Sequence, residues 1–415
     1  MRIALLSYRS KPHVGGQGVY VRHLSRALVD LGHTVEVFSG QPYPELDDGV
    51  ALTKVPSLDL YGEPEPFRNP RLSELRDRID VEEWARMRTG AFPEPLTFAR
   101  RALRVLAERR DDFDVVHDNQ TLAAPLLRIE PDLGLPLITT IHHPISFDRR
   151  IELQSAVGWK KKFGVRRWYS FVGMQAKVAP RLRRVITPSE TSKRDIVKDF
   201  GVSPERVTPI LLGVPDVFQP PTTPRVPGRI LAMASADAPL KGIGILLEAF
   251  AKLRTERDVS LVLVSKPKPG GPTERLIDKL AIKSHVRFVS GISDEELVEL
   301  MGSAEIACVP SLYEGFSLPT AELMACGTPL VVSRAGAIPE VVGPDGVCAD
   351  VVEPGDVEAL GQALEALLDD PERRARYSAA GRARVEKHFS WHAVADQVAA
   401  VYQQTIDEYH SGKRV

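Results

Sequence analysis

The amino-acid sequence predicts an α/β protein made of two doubly wound, Rossmann-like domains that face each other across a cleft. Short apolar runs alternate with segments of helical periodicity, which is typical of parallel α/β layers. The chain of 415 residues is too long for one ordinary core and fits two domains of about 200 residues each. Ligands of such sheets bind beyond the carboxyl ends of the strands, so we expect the site between the domains.

The predicted elements alternate between strands and helices in both halves. A helix is expected over 19–31, where apolar residues recur at helical spacing and Gly32 follows. The predicted strands are 3–7, 35–39, 115–117, 137–141 and 185–188 in the first half, and 229–233, 261–265, 286–289, 306–309 and 330–332 in the second.

A proline-rich segment, 219–228, is the predicted linker between the domains. It carries four prolines in ten residues, and proline can continue neither a helix nor an interior strand. The predicted domains are therefore residues 1–218 and 229–389, followed by a helical tail.

The composition is that of a globular protein, and the spacing of the potential ligands does not indicate a metal centre. Hydrophobic residues make up 43% of the chain and charged residues 26%, and no apolar run approaches the ~20 residues that span a bilayer. Arg9 and Lys11 interrupt the N-terminus too soon for a signal peptide. The three cysteines, at positions 308, 326 and 348, have no metal-ligand spacing. No Asp-x-Asp tripeptide or His/Asp cluster offers a metal site, so we expect a cytoplasmic protein with reduced thiols and neither metal nor cofactor.

Basic residues are concentrated in 149–184, where eleven lysines and arginines accompany a single acid, Glu152. No nucleic-acid motif accompanies them, so we do not expect a nucleic-acid partner. Aromatic residues at 159, 163, 168 and 171 interleave with the basic ones. Two interpretations stay open: a surface for anionic lipid headgroups or a phosphorylated acceptor, and a helix whose aromatics form one buried face.

The most informative stretch, 308–332, has the pattern strand, loop, helix, strand. Glu314 precedes the helix and Glu322 lies in its early turns. The N–H groups at a helix N-terminus favour a diphosphate, whereas neighbouring carboxylates repel phosphate and suit hydroxyls. Hydroxyls that flank a diphosphate indicate a nucleotide-sugar site.

This stretch resembles the signature of family 4 glycosyltransferases, which are retaining enzymes of the GT-B fold. The matching residues are Pro310-Ser311, Glu314-Gly315-Phe316, Leu318-Pro319, Glu322, Gly327-Thr328-Pro329 and Ile338-Pro339-Glu340. The resemblance implies that Glu314 lies by the donor sugar and that Glu322 binds the ribose. It also implies that a last helix, 390–412, packs back on the first domain. Donor binding is further expected from the loop residues Gly315, Phe316, Ser317 and Leu318.

Two further loops gain a role from the resemblance. Gly15 and Gly16 form either a plain tight turn or, by the resemblance, the loop that faces the donor diphosphate and the acceptor. Lys241 matches the lysine that neutralises the diphosphate in the family pattern Gly-Arg-x-x-x-x-Lys-Gly. The arginine position is Ala236, so this chain lacks one of the two expected cations. Lys241, Ser235, backbone N–H groups or a basic residue from elsewhere are the candidates to bind the diphosphate.

Polar residues at two strand ends complete the predicted site. The resemblance implies that His142 contacts the outer hydroxyls of the donor sugar, and His143 is a candidate for the acceptor. Asp118 and Asn119 are expected to shape the acceptor pocket, although local turn chemistry explains them equally well. The predicted catalytic residues are Glu314, His142 and Lys241.

The sequence as a whole predicts a retaining, metal-independent transferase that moves a hexose from a nucleoside-diphosphate sugar to an unidentified acceptor. If the basic segment 149–184 binds the acceptor, we expect that acceptor to be anionic or lipid-linked, and the segment would then contact the inner face of the membrane. Two alternatives stay open: a nucleotide-sugar epimerase, and a catalytically weak homologue, for which Ala236 is the argument.

Overall fold

The computed structural model describes residues 1–10 and 16–412. The chain forms two compact units. The first comprises Met1–Ile210 together with the C-terminal segment from Trp391, and the second is Leu211–Ser390. The predicted boundaries at 218, 229 and 389 stay a prediction about domains, and each unit is described by itself.

The first unit contains a seven-stranded parallel sheet in the order β3-β2-β1-β4-β5-β6-β7. Its strands are β1 (Arg2–Ser7), β2 (Thr34–Ser39), β3 (Ala51–Lys54), β4 (Val115–Asn119), β5 (Leu137–Thr140), β6 (Arg184–Thr187) and β7 (Val207–Pro209). Its helices are α1 (Gly16–Asp30), α2 (Arg78–Arg88), α3 (Glu94–Glu108), α4 (Ser146–Ser155), α5 (Trp159–Trp168), α6 (Ser170–Val178) and α7 (Glu190–Phe200). The central strands are buried because helices cover both faces of a parallel sheet.

The second unit contains a six-stranded parallel sheet in the order β10-β9-β8-β11-β12-β13. Its strands are β8 (Val226–Met233), β9 (Ser260–Val264), β10 (Val286–Val289), β11 (Ala304–Val309), β12 (Leu330–Ser333) and β13 (Ala349–Val352). Its helices are α8 (Ile243–Leu253), α9 (Pro272–Lys279), α10 (Asp294–Ser303), α11 (Leu318–Ala325), α12 (Ile338–Val342), α13 (Val357–Asp369) and α14 (Pro371–His388).

The structure shifts many of the predicted boundaries by one to three residues, and two of these shifts change an interpretation. β8 begins at Val226, within the segment expected to be linker, because Val226 still pairs with Ala304 of β11 across a register shift. β4 extends to Asn119, so Asp118 and Asn119 end this strand and do not follow it.

The last helix, α15 (Trp391–His410), packs against α1 in the first unit. Its buried face includes Val394, Val398 and Tyr402. The ion pair between Arg184 and Glu408, 2.5 Å apart, ties its last turns to the start of β6.

The segment 159–171 does not form one helix with a buried aromatic face, so that interpretation was wrong. It is divided between α5 and α6. Trp168 and Phe171 pack against the core, whereas Trp159 and Phe163 are 75% and 63% exposed. Among the described residues, no helix combines the length and the apolar character needed to cross a bilayer.

Candidate active site

Lys241 lies in the loop between β8 and α8, at the carboxyl edge of the second sheet. The next residue, Gly242, has a φ of 65°, and a side chain there would collide with the carbonyl oxygen of Pro310. The N–H of Leu312 donates to the carbonyl of Leu240 over 2.7 Å. Glycine therefore permits the close approach that holds Lys241 against the loop after β11.

The structure brings Lys241 and Glu314 together, as two of the predicted catalytic residues. Lys241 Nζ lies 2.8 Å from Glu314 Oε1, and the hydroxyl of Ser311 donates to the same oxygen over 2.7 Å. Glu314 is buried and Lys241 is about one-third exposed. Within the described ranges, Glu314 Oε2 has no hydrogen-bond partner. A paired carboxylate with one oxygen left over can accept from a hydroxyl, and the ammonium can turn its remaining N–H bonds to an anion.

The loop before α11 is held in a strained conformation. Ser317, the residue before the helix, has a φ of 86°, and its hydroxyl lies 2.8 Å from that of Thr320. A side chain at Gly336 would collide with the backbone of Glu314, so this glycine lets the loop after β12 pack against Glu314. Strain of this kind persists where surrounding contacts over-determine the backbone, often at functional sites.

The same loop presents N–H groups at the N-terminus of α11. No protein acceptor for the N–H groups of Phe316, Ser317 and Leu318 occurs in the parts of the chain that the structure describes. Gly315 lies in this loop as well and is half-buried. Such groups, with the helix dipole behind them, attract a phosphate or sugar oxygen.

Glu322 lies in the second turn of α11 and is half-buried. Burial raises the pKa of its carboxyl group to about 7, and the nearby Asp294 carboxylate adds to the shift. None of the described residues forms a hydrogen bond with this carboxyl. A carboxyl that is about half protonated at pH 7 suits hydroxyl partners better than ammonium groups.

Ala236, where the family has arginine, serves the fold through its backbone. Its N–H donates to Ser265 Oγ over 2.9 Å, and its carbonyl accepts from the hydroxyl of Thr273 over 2.8 Å. The alanine side chain is buried, whereas Ser235 beside it is exposed. A long cationic side chain at 236 would have to leave this packed position.

His142 follows β5 in the first unit and is held through both its backbone and its ring. Its N–H donates to Gln120 Oε1 over 2.7 Å, and Nε2 lies 2.8 Å from Asn119 Oδ1. Burial lowers the pKa of His142 to about 3, and His143 and His117 contribute in the same direction. The ring is therefore neutral at physiological pH, which suits hydrogen bonding more than charge stabilisation.

The predicted acceptor residues differ in accessibility. His143 is 37% exposed and lies 3.0 Å from Asp148 Oδ2. Asp118 and Asn119 are fully buried. The Asp118 carboxylate accepts from the N–H groups of Thr121 and Leu122, and burial raises its pKa to about 6. This burial favours a positioning role for Asp118 and Asn119 over contact with the acceptor, which stays a prediction.

A buried network behind His142 was not predicted. His117 lies 2.6 Å from the Tyr402 hydroxyl and 2.7 Å from Thr140 Oγ1. The Tyr20 hydroxyl is 3.2 Å from the same Thr140 oxygen, and the Tyr20 ring meets His142 edge-on at 4.8 Å between centroids. The only signal in the sequence was His117 itself, a polar residue directly after the apolar pair Val115-Val116, since its partners are distant along the chain.

Two other predictions concern the glycines and the metal. Gly15 lies outside the described residues, and Gly16 is the first residue of α1. In the part of the chain that the structure describes, no group of three or more His, Cys, Asp or Glu side chains could hold a metal ion.

Family models match both halves of the chain. Residues 14–217 match the model described as Glycosyltransferase Family 4, and residues 219–384 match Glycosyl transferases group 1. The MMP alpha-(1->4)-mannosyltransferase of Mycolicibacterium hassiacum is 59% identical over 407 residues, which cover 98% of each chain. The chain belongs to glycosyltransferase family 4.

Solved structures agree with this family on the fold. Sucrose-phosphate synthase from Thermosynechococcus elongatus matches with a TM-score of 0.73 at 21% identity, over 97% of this chain and 98% of that one. Anabaena HepE in complex with UDP-glucose matches with a TM-score of 0.70 at 16% identity, over 97% and 100%. The family 4 chain thus has the predicted GT-B fold and is a nucleotide-sugar-dependent glycosyltransferase.

Proposed function

We propose that this glycosyltransferase is a retaining α-(1→4)-mannosyltransferase that extends a methylmannose polysaccharide from a nucleoside-diphosphate mannose. The observation that carries the proposal is the 59% identity to an α-(1→4)-mannosyltransferase over 98% of both chains. The sugar and the linkage in the proposal are those in the name of that relative.

In this proposal the charge on the leaving diphosphate is stabilised in the second unit. Lys241 donates to a diphosphate oxygen as negative charge develops there, and the N–H groups of 316–318 add further donors. Such donors accelerate the reaction only insofar as their hydrogen bonds strengthen in the transition state. No metal is needed in this scheme, because the ammonium and N–H groups supply the positive charge.

The two carboxyls bind the sugars on either side of that diphosphate. Glu314, paired with Lys241 and oriented by Ser311, accepts a hydrogen bond from a hydroxyl of the mannose. Glu322 binds the ribose hydroxyls. Retention of configuration follows from attack on the same face as the leaving group, with a phosphate oxygen taking the proton of the acceptor hydroxyl.

The two alternative functions are less well supported. An epimerase needs no acceptor, and the relative with 59% identity is named as a transferase. A catalytically weak homologue was suggested by Ala236, yet the Lys241–Glu314 pair and the strained loop before α11 are intact.

The test is a panel of nucleotide sugars incubated with and without mannose oligosaccharides. Free nucleotide released from a mannose donor only when the oligosaccharide is present supports the proposal. An isomerised donor sugar would indicate an epimerase. Donor binding without turnover would indicate a binding protein, and turnover restricted to a glucose donor would contradict the choice of mannose.

We further propose that α5 docks on an anionic membrane surface at the cytoplasmic face. Val157, Trp159 and Phe163 are 88%, 75% and 63% exposed, and exposed lysines at 160, 161 and 162 lie among them. Peripheral proteins bind membranes through apolar side chains that enter the lipid interface and through basic side chains that contact the headgroups. Each basic residue contributes ~1 kcal/mol to the binding free energy.

Vesicle flotation tests the membrane proposal. The protein should float with vesicles that contain phosphatidylglycerol, and binding should fall at high salt and in Trp159→Ser/Phe163→Ser. Absence from both anionic and neutral vesicles at every salt concentration would end the membrane version. The lysines would then serve a soluble acceptor, whose KM should rise when all three are replaced by alanine.

A further inference from the structure

Asn119 is so placed that its amide can have only one orientation. It ends β4 and is fully buried. Its Nδ2 donates to the backbone carbonyl of Gln17 in the first turn of α1 over 3.4 Å, and its Oδ1 lies 2.8 Å from His142 Nε2. The reverse orientation would bring Oδ1 against the carbonyl oxygen of Gln17, and two acceptors would then face each other.

The orientation of Asn119 decides where His142 carries its proton. Because Oδ1 can only accept, Nε2 of His142 must be the N–H. The ring has one proton when neutral, so Nδ1 keeps its lone pair. No described residue forms a hydrogen bond with Nδ1, and the His142 side chain is partly exposed.

Beyond Asn119, His142 is held by one contact to its ring and one to its backbone. The Tyr20 ring packs edge-on against it, and the Tyr20 hydroxyl contacts Thr140, which also bonds His117. The backbone N–H of His142 donates to Gln120 Oε1. These contacts fix the direction in which Nδ1 points, so the imidazole meets its ligand without reorientation.

We propose that Asn119 is a positioning residue that holds His142 as the neutral Nε2–H tautomer, so that Nδ1 accepts a hydrogen bond from a hydroxyl of the sugar substrate. The identity of that substrate rests on the proposed function, whereas the assignment of the tautomer does not. Through Gln17, the same amide ties the first turn of α1 to the ring. His142 can then select for a ligand that offers an O–H donor at this position.

Nitrogen-15 NMR of histidine-labelled protein tests the tautomer without any activity measurement. His142→Gln identifies the signals by their loss. We expect one nitrogen of His142 at the shift of a protonated pyrrole-type atom and the other unprotonated from pH 6 to 8, with the two-bond couplings of the Nε2–H form. The Nδ1–H form, or a cationic ring, would overturn the proposal even if the enzyme transfers mannose.

Two variants separate positioning from a purely structural role. Asn119→Asp loses the bond to Gln17 and sets an oxygen against that carbonyl, but it keeps an acceptor opposite Nε2 and should keep Nε2 protonated. Asn119→Ala should give the mixed tautomers of a free imidazole. In Asn119→Ala we expect kcat/KM to fall ~10- to 100-fold, by analogy with the loss when the partner that orients a metal-bound histidine is removed. Asn69→Asp, at the only other asparagine, is the control and should change neither readout.

The outcomes are distinct. If Asn119→Ala leaves both the tautomer and kcat/KM unchanged, Asn119 is not a positioning residue. If the tautomer is as expected but no nucleotide sugar is turned over by the wild type, the proposed function fails and the proton assignment stands. Circular dichroism of each variant shows whether a loss reflects unfolding, and an unfolded Asn119→Ala leaves Asn119→Asp and the wild-type spectrum to decide.

Discussion

The two units hold their predicted site residues in opposite ways. In the second unit, Lys241 and Glu314 form an ion pair that is reached from solvent through the one-third exposed lysine. In the first unit, His142 has neutral hydrogen-bond partners, and burial lowers its pKa to about 3. The comparison indicates that charge is handled by the second unit, whereas the first supplies a fixed, neutral hydrogen-bonding group.

The largest effect is expected at the paired carboxylate. Glu314→Gln should lower kcat by about 10³-fold, because the amide can neither pair with Lys241 as an anion nor accept from the sugar hydroxyl with equal strength. Steady-state kinetics checks this, with Glu358→Gln as the control, since Glu358 pairs with Lys252 on the surface over the same 2.8 Å. A kcat of Glu314→Gln equal to that of the wild type would contradict a role of this ion pair in the reaction.

Replacement of Lys241 should cost about 10²-fold in kcat/KM and weaken binding of the nucleoside diphosphate product. Lys241→Met keeps the length of the side chain but removes the cation, and Lys241→Arg should recover part of the loss. Isothermal titration with the diphosphate is the measurement. Unchanged affinity in Lys241→Met would mean that another residue neutralises the phosphates.

In the first unit the expected effect falls on stability. Tyr402→Phe removes the hydroxyl that lies 2.6 Å from His117 Nδ1 and leaves a buried nitrogen without a partner. We expect the free energy of unfolding to fall by about 1–3 kcal/mol. Tyr409→Phe is the control, because that hydroxyl bonds a carbonyl in a half-buried place. Urea unfolding that is identical for Tyr402→Phe and the wild type would contradict a network that supports the site.

The smallest effect is a pH dependence at Glu322. Burial raises its pKa to about 7 in the folded protein, above the ordinary value near 4.3, so the folded state binds the proton more tightly than the unfolded one. Stability should therefore decrease as the pH rises from about 4.5 to 7. Glu322→Gln should match the wild type at pH 4.5 and exceed it by about 1–2 kcal/mol at pH 8. Thermal unfolding at pH 4.5 and pH 8 is the measurement. A stability difference between Glu322→Gln and the wild type that is the same at both pH values would refute the pKa shift.

The same contrast explains what the sequence could predict. The loop and helix that carry Glu314 and Glu322 are contiguous, so apolar runs, glycines and a helix start identify them directly. The sheet and α15 bring together segments that are distant along the chain, and only this places Tyr20, His117 and Tyr402 in contact. No local sequence pattern predicts such a contact. The boundaries of β4 and β8 were misjudged because strand pairing extended both beyond their apolar runs.

The exposure of the aromatic side chains in α5 and α6 could not be predicted from the sequence either. The aromatics at 159, 163, 168 and 171 fit one helical face by spacing, yet the helix breaks between α5 and α6, and two of the aromatics are half-buried while two are exposed. Spacing gives a face only if the helix is continuous, and the residue at the break, Tyr169, has no distinctive signature.

The central claim is the transfer of mannose in an α-(1→4) bond, and the NMR spectrum of the product tests it most directly. A mannose oligosaccharide extended by the wild-type protein with a nucleoside-diphosphate mannose should gain one α-anomeric signal. A through-bond correlation should join that new C1 to C4 of the former terminal mannose, and Glu314→Gln should yield none of this product. A β-anomeric signal, a different linkage position, or no extended oligosaccharide from any mannose donor would contradict the account.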